Sequence, residues 1–146
     1  MVFTQEVVGS IPTTSILLTT NTNRKGDVGE LRVSSKLLEM GYVVSETITD
    51  THYDLIAEIN DEFISVQVKV CRWSEDDNTY RVGFEKTNYG ANGANRDLYK
   101  EGEIDVFAIY NPDEDEIYWL WFDEAPKWGA SRTLSSWRND LIDRKI

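Results

Sequence analysis

The stretch Glu62-Phe-Ile-Ser-Val-Gln-Val-Lys-Val-Cys-Arg72 alternates strictly, which marks it as a buried strand at the centre of a sheet. A side-chain period of two sends Ile64, Val66, Val68 and Val70 to one face and Phe63, Ser65, Gln67, Lys69 and Cys71 to the other. The first set is core. The second carries an amide and an ammonium one step apart, where an ordinary strand has apolar or bland polar side chains, so chemistry is sought there.

The chain on either side supplies elements that can pack around this strand. Residues 1–22 read as an N-terminal arm and 23–146 as a single domain, with Ile16-Leu17-Leu18 either a short edge strand or part of a loosely held segment. Asn21-Thr-Asn23 offers N-caps for a helix over 23–40 that Gly41 stops, with Val28, Leu31, Val33, Leu37, Leu38 and Met40 as its apolar stripe. Gly26 and Gly29 inside that helix cost about 1 kcal/mol each against alanine, which points to close backbone approach near Glu30. Glu30 lies at the edge of the stripe, where a lone glutamate is most often a solvated rim residue.

Short strands follow at Tyr42–Ser45 and His52–Ile59, and Asn60-Asp61 is a turn dipeptide suited to a hairpin. A two-residue turn there sets Ile59 opposite Glu62, hence Asp54 opposite Gln67 on one face and His52 opposite Lys69. A one-residue bulge would turn Asp54 away. His52 is given no catalytic role, because a strand-edge histidine beside a lysine is more often a packing or hydrogen-bonding residue.

After an acidic loop at 74–78, Thr79–Glu85 reads as a further strand and residues 86–102 as a long aperiodic loop. The loop interleaves Lys86, Arg96 and Lys100 with Tyr89 and Tyr99, a mixture that can grip a nucleic-acid backbone, or else it is a mobile surface loop. Ile104–Tyr110 and Glu116–Phe122 read as a hairpin, and Ser131–Arg144 as a C-terminal helix with Ser131 as its N-cap. The tryptophans at 119, 121, 128 and 137 suit core packing or a subunit interface.

Composition bounds the function. One cysteine, Cys71, excludes a disulfide framework or a thiolate metal site within the chain. No signal peptide or membrane span is visible, so a soluble cytoplasmic or otherwise intracellular protein without membrane partners is expected. A net charge of −11 weighs against polyanion binding, unless the acid is segregated to the far side, gathered at a metal site, or suited to a salty cytoplasm.

The layout collects Glu30, Asp54, Gln67 and Lys69. Two carboxylates and an amide carbonyl are hard oxygen ligands of the kind Mg²⁺ takes, and a lysine one step along can hold an attacking water or offset charge on a phosphate. Metal-assisted phosphodiester hydrolysis is one reading of this set, and a salt-bridged sheet face is the other.

Lys25-Gly-Asp-Val-Gly-Glu30-Leu, Tyr53-Asp54-Leu-Ile, Val66-Gln67-Val-Lys69 and Glu103-Ile-Asp-Val-Phe-Ala-Ile-Tyr110 together resemble the PD-(D/E)xK nuclease superfamily. The resemblance is greatest to its small homing-endonuclease branch, which uses Gln-x-Lys, and extends more distantly to archaeal Holliday junction resolvases. Tyr53 stands where the superfamily name has Pro. The resemblance implies an α/β, restriction-endonuclease-like core: a mixed β-sheet flanked by an N-terminal and a C-terminal helix. It implies Mg²⁺, with Mn²⁺ as the alternative, held by Glu30, Asp54, the Gln67 side-chain carbonyl and the Val68 backbone carbonyl, while Lys69 orients the nucleophilic water. It also implies a homodimer or homotetramer, since one site cuts one strand.

The expected function is therefore a metal-dependent DNA endonuclease of the homing type, acting on duplex or branched DNA. Arg24, Lys25, Lys86, Arg96 and Lys100 are its candidate phosphate contacts. A Holliday junction resolvase is the near alternative. A catalytically silent module that binds DNA or protein is the distant one, motivated by the acidity; against it, buried carboxylates kept close together without a cation cost stability.

Overall fold

The computed structural model describes residues 22–125 and 132–133. The expected arm therefore lies outside the described residues except for Thr22, as does the expected C-terminal helix except for Arg132–Thr133, along with Trp128, Trp137 and the two caps Asn21 and Ser131. Arg132–Thr133 form a short strand, β10, where a helix was expected.

Helix α1 spans Thr22–Glu39, so Thr22 and Asn23 lie inside it rather than before it. It stops because Gly41 takes φ +88°, a left-handed conformation that glycine adopts without steric penalty. The Gly41 N–H then reaches the Leu38 carbonyl at 2.9 Å and the Tyr42 N–H reaches Leu37 at 3.1 Å, satisfying carbonyls the helix end would strand. Its packed face is narrower than the expected stripe. Gly29, Val33 and Leu37 are buried along one four-residue ridge, whereas Leu31 and Leu38 are 63% and 60% exposed. Glycine is the reason: a Cβ at Gly29 would stand 2.8 Å from Val70 Cγ2, so backbone rather than side chain lies on the sheet there. The close approach expected near Glu30 is therefore at Gly29, and Gly26 meets nothing within 4 Å.

The main sheet has the order β1-β2-β3-β8-β9. Its members are β1 (Val43–Glu46), β2 (Leu55–Ile59), β3 (Glu62–Val70), β8 (Val106–Asn111) and β9 (Glu116–Trp121). β3 is the middle strand, as its alternation required, and Ile64, Val66 and Val68 are buried. Asn60 and Asp61 both take positive φ, 52° and 65°, which makes the two-residue turn that fits the strand twist. Ile59 therefore pairs Glu62 and Leu55 pairs Val66.

β3 and β8 run parallel, the other pairs antiparallel, so the sheet is mixed. Asp105 fixes the start of β8: its Oδ2 accepts from the Ser65 N–H at 2.8 Å and from Ser65 Oγ at 2.9 Å. All of β8 is buried, because both faces of the sheet are covered. One face packs Val66, Val106, Ala108 and Trp119 against Val33 and Leu37 of α1. The other packs Phe107, Ile109 and Leu120 against Val82 and Phe84.

Two small sheets complete the described chain: β10-β5-β4, with β4 at Arg72–Ser74 and β5 at Thr79–Val82, and β6-β7, with β6 at Glu85–Gly90 and β7 at Gly93–Leu98. The expected strand over 79–85 is thus split, and the expected loop over 86–102 is largely a hairpin closed by Ala91-Asn92. β7 is exposed along nearly its whole length and carries no apolar alternation, which is why periodicity did not show it. No helix among the described residues is long and apolar enough to cross a membrane.

Candidate active site

Asp54 sits one residue before β2, where the ladder has ended at Leu55 and Val66; its N–H donates to that same Val66 carbonyl at 2.9 Å, so two successive residues face Val66 and the expected strand pairing of Asp54 with Gln67 does not form. Its side chain still meets Gln67. Asp54 Oδ2 accepts from the Val68 N–H at 2.8 Å and from Gln67 Nε2 at 2.7 Å, so the carboxylate is fixed to β3 by two donors. Gln67 Nε2 also donates to the Val68 carbonyl at 3.1 Å. Gln67 thus presents its nitrogen to the oxygens that the resemblance makes cation ligands, whereas its expected role needs Oε1. A half-turn of the terminal amide exchanges the two, and that torsion is soft.

Lys69 projects from the same face. Its Nζ donates to the Glu85 carbonyl at 2.8 Å and to the Tyr99 hydroxyl at 3.0 Å. Asp54, Gln67 and Lys69 share an open cleft of about 340 Å³ with His52, Lys86 and Tyr99. Glu30 is not among the residues that line this cleft; it follows Gly29, which packs on Val68 and Val70, and is close enough for the Asp54 charge to act on it.

The electrostatics are those of crowded carboxylates. Burial, then Asp54, Asp27 and Glu46, raise the Glu30 pKa to about 7. Burial also raises Asp54, opposed by the Val68 N–H and by Lys69. Burial lowers Lys69 to about 8 against the pull of Asp54 and Glu85, and raises the Tyr99 hydroxyl, which therefore stays protonated at neutral pH.

The candidate phosphate contacts fall into two groups. Lys86 is not a free surface cation: it donates to both Glu103 oxygens, at 3.1 and 3.0 Å, inside the cleft wall. Glu103 also accepts the Lys100 N–H at 2.8 Å and lies 3.5 Å from His52 Nε2, so its pKa is held low first by that N–H and then by Lys86. The expected pairing of His52 with Lys69 does not form, because β2 begins only at Leu55. Arg24, Lys25, Arg96 and Lys100 are exposed, with Arg96 Nη1 3.7 Å from Glu85. Sequence reasoning missed Tyr99 and the Glu85 carbonyl as partners of Lys69. Tyr99 stood among the interleaved aromatics, but nothing in a linear sequence ties it to a residue thirty positions away.

A profile of PD-(D/E)XK endonucleases matches residues 20–140. The chain belongs to the PD-(D/E)XK endonuclease family. Among solved structures it is similar to a bacterial homing endonuclease, I-Ssp6803I, with 25% identity, a TM-score of 0.71, and coverage of 86% of this chain and 84% of that one. No curated protein sequence matches significantly.

PD-(D/E)XK endonucleases generally use divalent metal ions. The described residues contain no group of three His, Cys, Asp or Glu side chains that could hold one. The Asp54 carboxylate, the Val68 carbonyl and the Gln67 amide meet at the mouth of the cleft, and carboxylate and carbonyl oxygens are the donors that a hard cation takes. Every influence on Glu30 disfavours its charged form, which is the strain that a cation would relieve.

Proposed function

We propose that this nuclease is a Mg²⁺-dependent DNA endonuclease of the homing type, with Mn²⁺ as an alternative ion, acting as a homodimer or homotetramer so that both strands of a duplex are cut. The observation that carries the reading is the Asp54 carboxylate, tied to Val68 and Gln67 beside Lys69, with Glu30 near enough to feel its charge.

Glu30, Asp54, the Val68 carbonyl and Gln67, through its turned amide, would hold the ion. Its chemistry is to polarise the scissile phosphate and make a bound water acidic enough to attack. The rest belongs to the chain. The Val68 N–H fixes Asp54 so that the carboxylate need not reorganise during reaction. Lys69 orients the attacking water and offsets charge that builds on the phosphate. Arg24, Lys25, Arg96 and Lys100 contact backbone phosphates, and Lys86 joins them only by leaving Glu103.

Melting curves with Mg²⁺ and with a chelator test the metal, and cleavage of supercoiled plasmid beside a synthetic four-way junction tests the substrate. The expected result is a higher melting temperature with Mg²⁺ and preferred cutting of duplex. Preference for the junction would make the protein a resolvase. Indifference to Mg²⁺ in both assays would leave a silent binding module.

A further inference from the structure

We propose that the β6–β7 hairpin is an arm that enters the DNA major groove, and that its two roots hold Lys69 in its working position, with Tyr99 as the positioning residue. The inference rests on the catalytic reading of Lys69 given above.

Two strands that, among the described residues, pair with each other and with no third strand make a structure that is marginal in water by itself. β7 is exposed from Gly93 to Asp97, so this strand of the arm is open to a partner. At six residues a strand it reaches about 20 Å, and a two-stranded ribbon has the width that a major groove admits. Its charge is also unlike the rest of the chain: Lys86 and Arg96 balance Glu85 and Asp97 over residues 85–98, so the hairpin is neutral in a protein of net charge −11. Arg96, with its side chain 78% exposed on β7, is placed to meet a backbone phosphate at the edge of the groove.

Lys69 is bound to this arm at both roots. Glu85, whose carbonyl accepts from Nζ at 2.8 Å, is the first residue of β6. Tyr99, whose hydroxyl accepts at 3.0 Å, is the first residue after β7. The roots are in turn fixed to the main sheet, because Phe84 and Tyr99 both pack edge-on against Phe107, at 5.0 and 5.3 Å between ring centroids. The roots therefore keep both acceptors of Lys69 in place on the sheet when the outer part of the hairpin seats in a groove.

The test uses the whole chain and separates grip from rate. DNA affinity is measured with Ca²⁺ in place of Mg²⁺, and the cleavage rate with Mg²⁺ at enzyme concentrations that saturate plasmid DNA. Tyr99→Phe keeps the ring on Phe107 and removes only the hydroxyl. It should leave Kd within about twofold and the melting temperature unchanged, while lowering the saturated rate at least about tenfold. Arg96→Ala should raise Kd about tenfold and lower the salt slope of binding by about one. A Tyr99→Phe protein that cuts at the wild-type rate would overturn the positioning claim. An Arg96→Ala protein with unchanged Kd and salt slope would overturn the arm. Lys69→Ala serves as the separate control: if it still cuts, the catalytic reading fails, whatever the hairpin does.

Discussion

Replacing Gly29 with alanine adds one methyl group where Val70 Cγ2 would stand 2.8 Å away, with Val68 Cγ1 at 3.4 Å and Tyr110 Cδ1 at 3.8 Å. Replacing Gly26, one turn earlier in the same helix, adds the same methyl where nothing lies within 4 Å. Both changes gain helix propensity, about 0.5–1 kcal/mol. Only the first overfills a packed contact, at a cost of about 1–3 kcal/mol, since Val70 is β-branched and cannot swing clear. The difference between the two variants cancels the propensity gain and isolates the packing cost. Urea unfolding should therefore find Gly26→Ala slightly more stable than wild type and Gly29→Ala about 1–3 kcal/mol less stable than Gly26→Ala. Because Glu30 follows directly on the helix, Gly29→Ala should also slow cleavage, and Gly26→Ala should not. Equal stability of the two variants would refute the claim that α1 is pressed onto β3, and the placement of Glu30 would fall with it.

Glu30 gives a pH dependence whose sign is fixed. With its pKa raised from 4.5 to about 7, the folded chain keeps a proton that the unfolded chain releases. Its contribution is therefore fully present below pH 4.5 and is lost as the pH rises through 7. A raw cost near ~3 kcal/mol shrinks to about 1 kcal/mol for a partly exposed carboxyl. Chemical denaturation in chelator across that window should show the decline in wild type and a flatter curve in Glu30→Gln, and equal slopes would count against the crowding of carboxylates. Asp61→Gly should stabilise the protein by about 0.5 kcal/mol, since φ 65° suits glycine. A clear loss of melting temperature would argue against the two-residue turn. Arg32 reaches Asp115 through two hydrogen bonds, but both side chains are about half exposed. Arg32→Ala should therefore cost no more than about 1 kcal/mol by thermal unfolding, and a larger loss would mean that the pair locks α1 to the β8–β9 turn.

The sequence carried the site's centre well because that centre is local. Alternation over Glu62–Val70 and one turn dipeptide suffice to set Leu55 opposite Val66, which leaves Asp54 at the end of the ladder within hydrogen-bonding reach of Gln67 and Val68, and both signals survive in a single chain. The helix stop at Gly41 was legible for the same reason, being a matter of one residue's backbone freedom. The width of the buried helix face was not, because the contact at Gly29 depends on how close another element comes, and that leaves Leu31 and Leu38 in solvent. The β6–β7 hairpin escaped notice because a strand exposed on both faces has no hydrophobic period to detect. Lys86 looked like a free cation only because Glu103, its partner, is seventeen residues away. Tyr99 and the Glu85 carbonyl became visible as partners of Lys69 only once the hairpin's roots had been folded onto β3.

The most direct measurement is plasmid cleavage in Mg²⁺ by the wild type beside Asp54→Ala and Lys69→Ala, with melting curves to show that each variant is folded. The account predicts nicked and linear product from wild type, none from either variant, and none from any protein in chelator. Cutting by a folded Asp54→Ala protein at the wild-type rate would contradict it, because the carboxylate that β3 holds in place would then be idle.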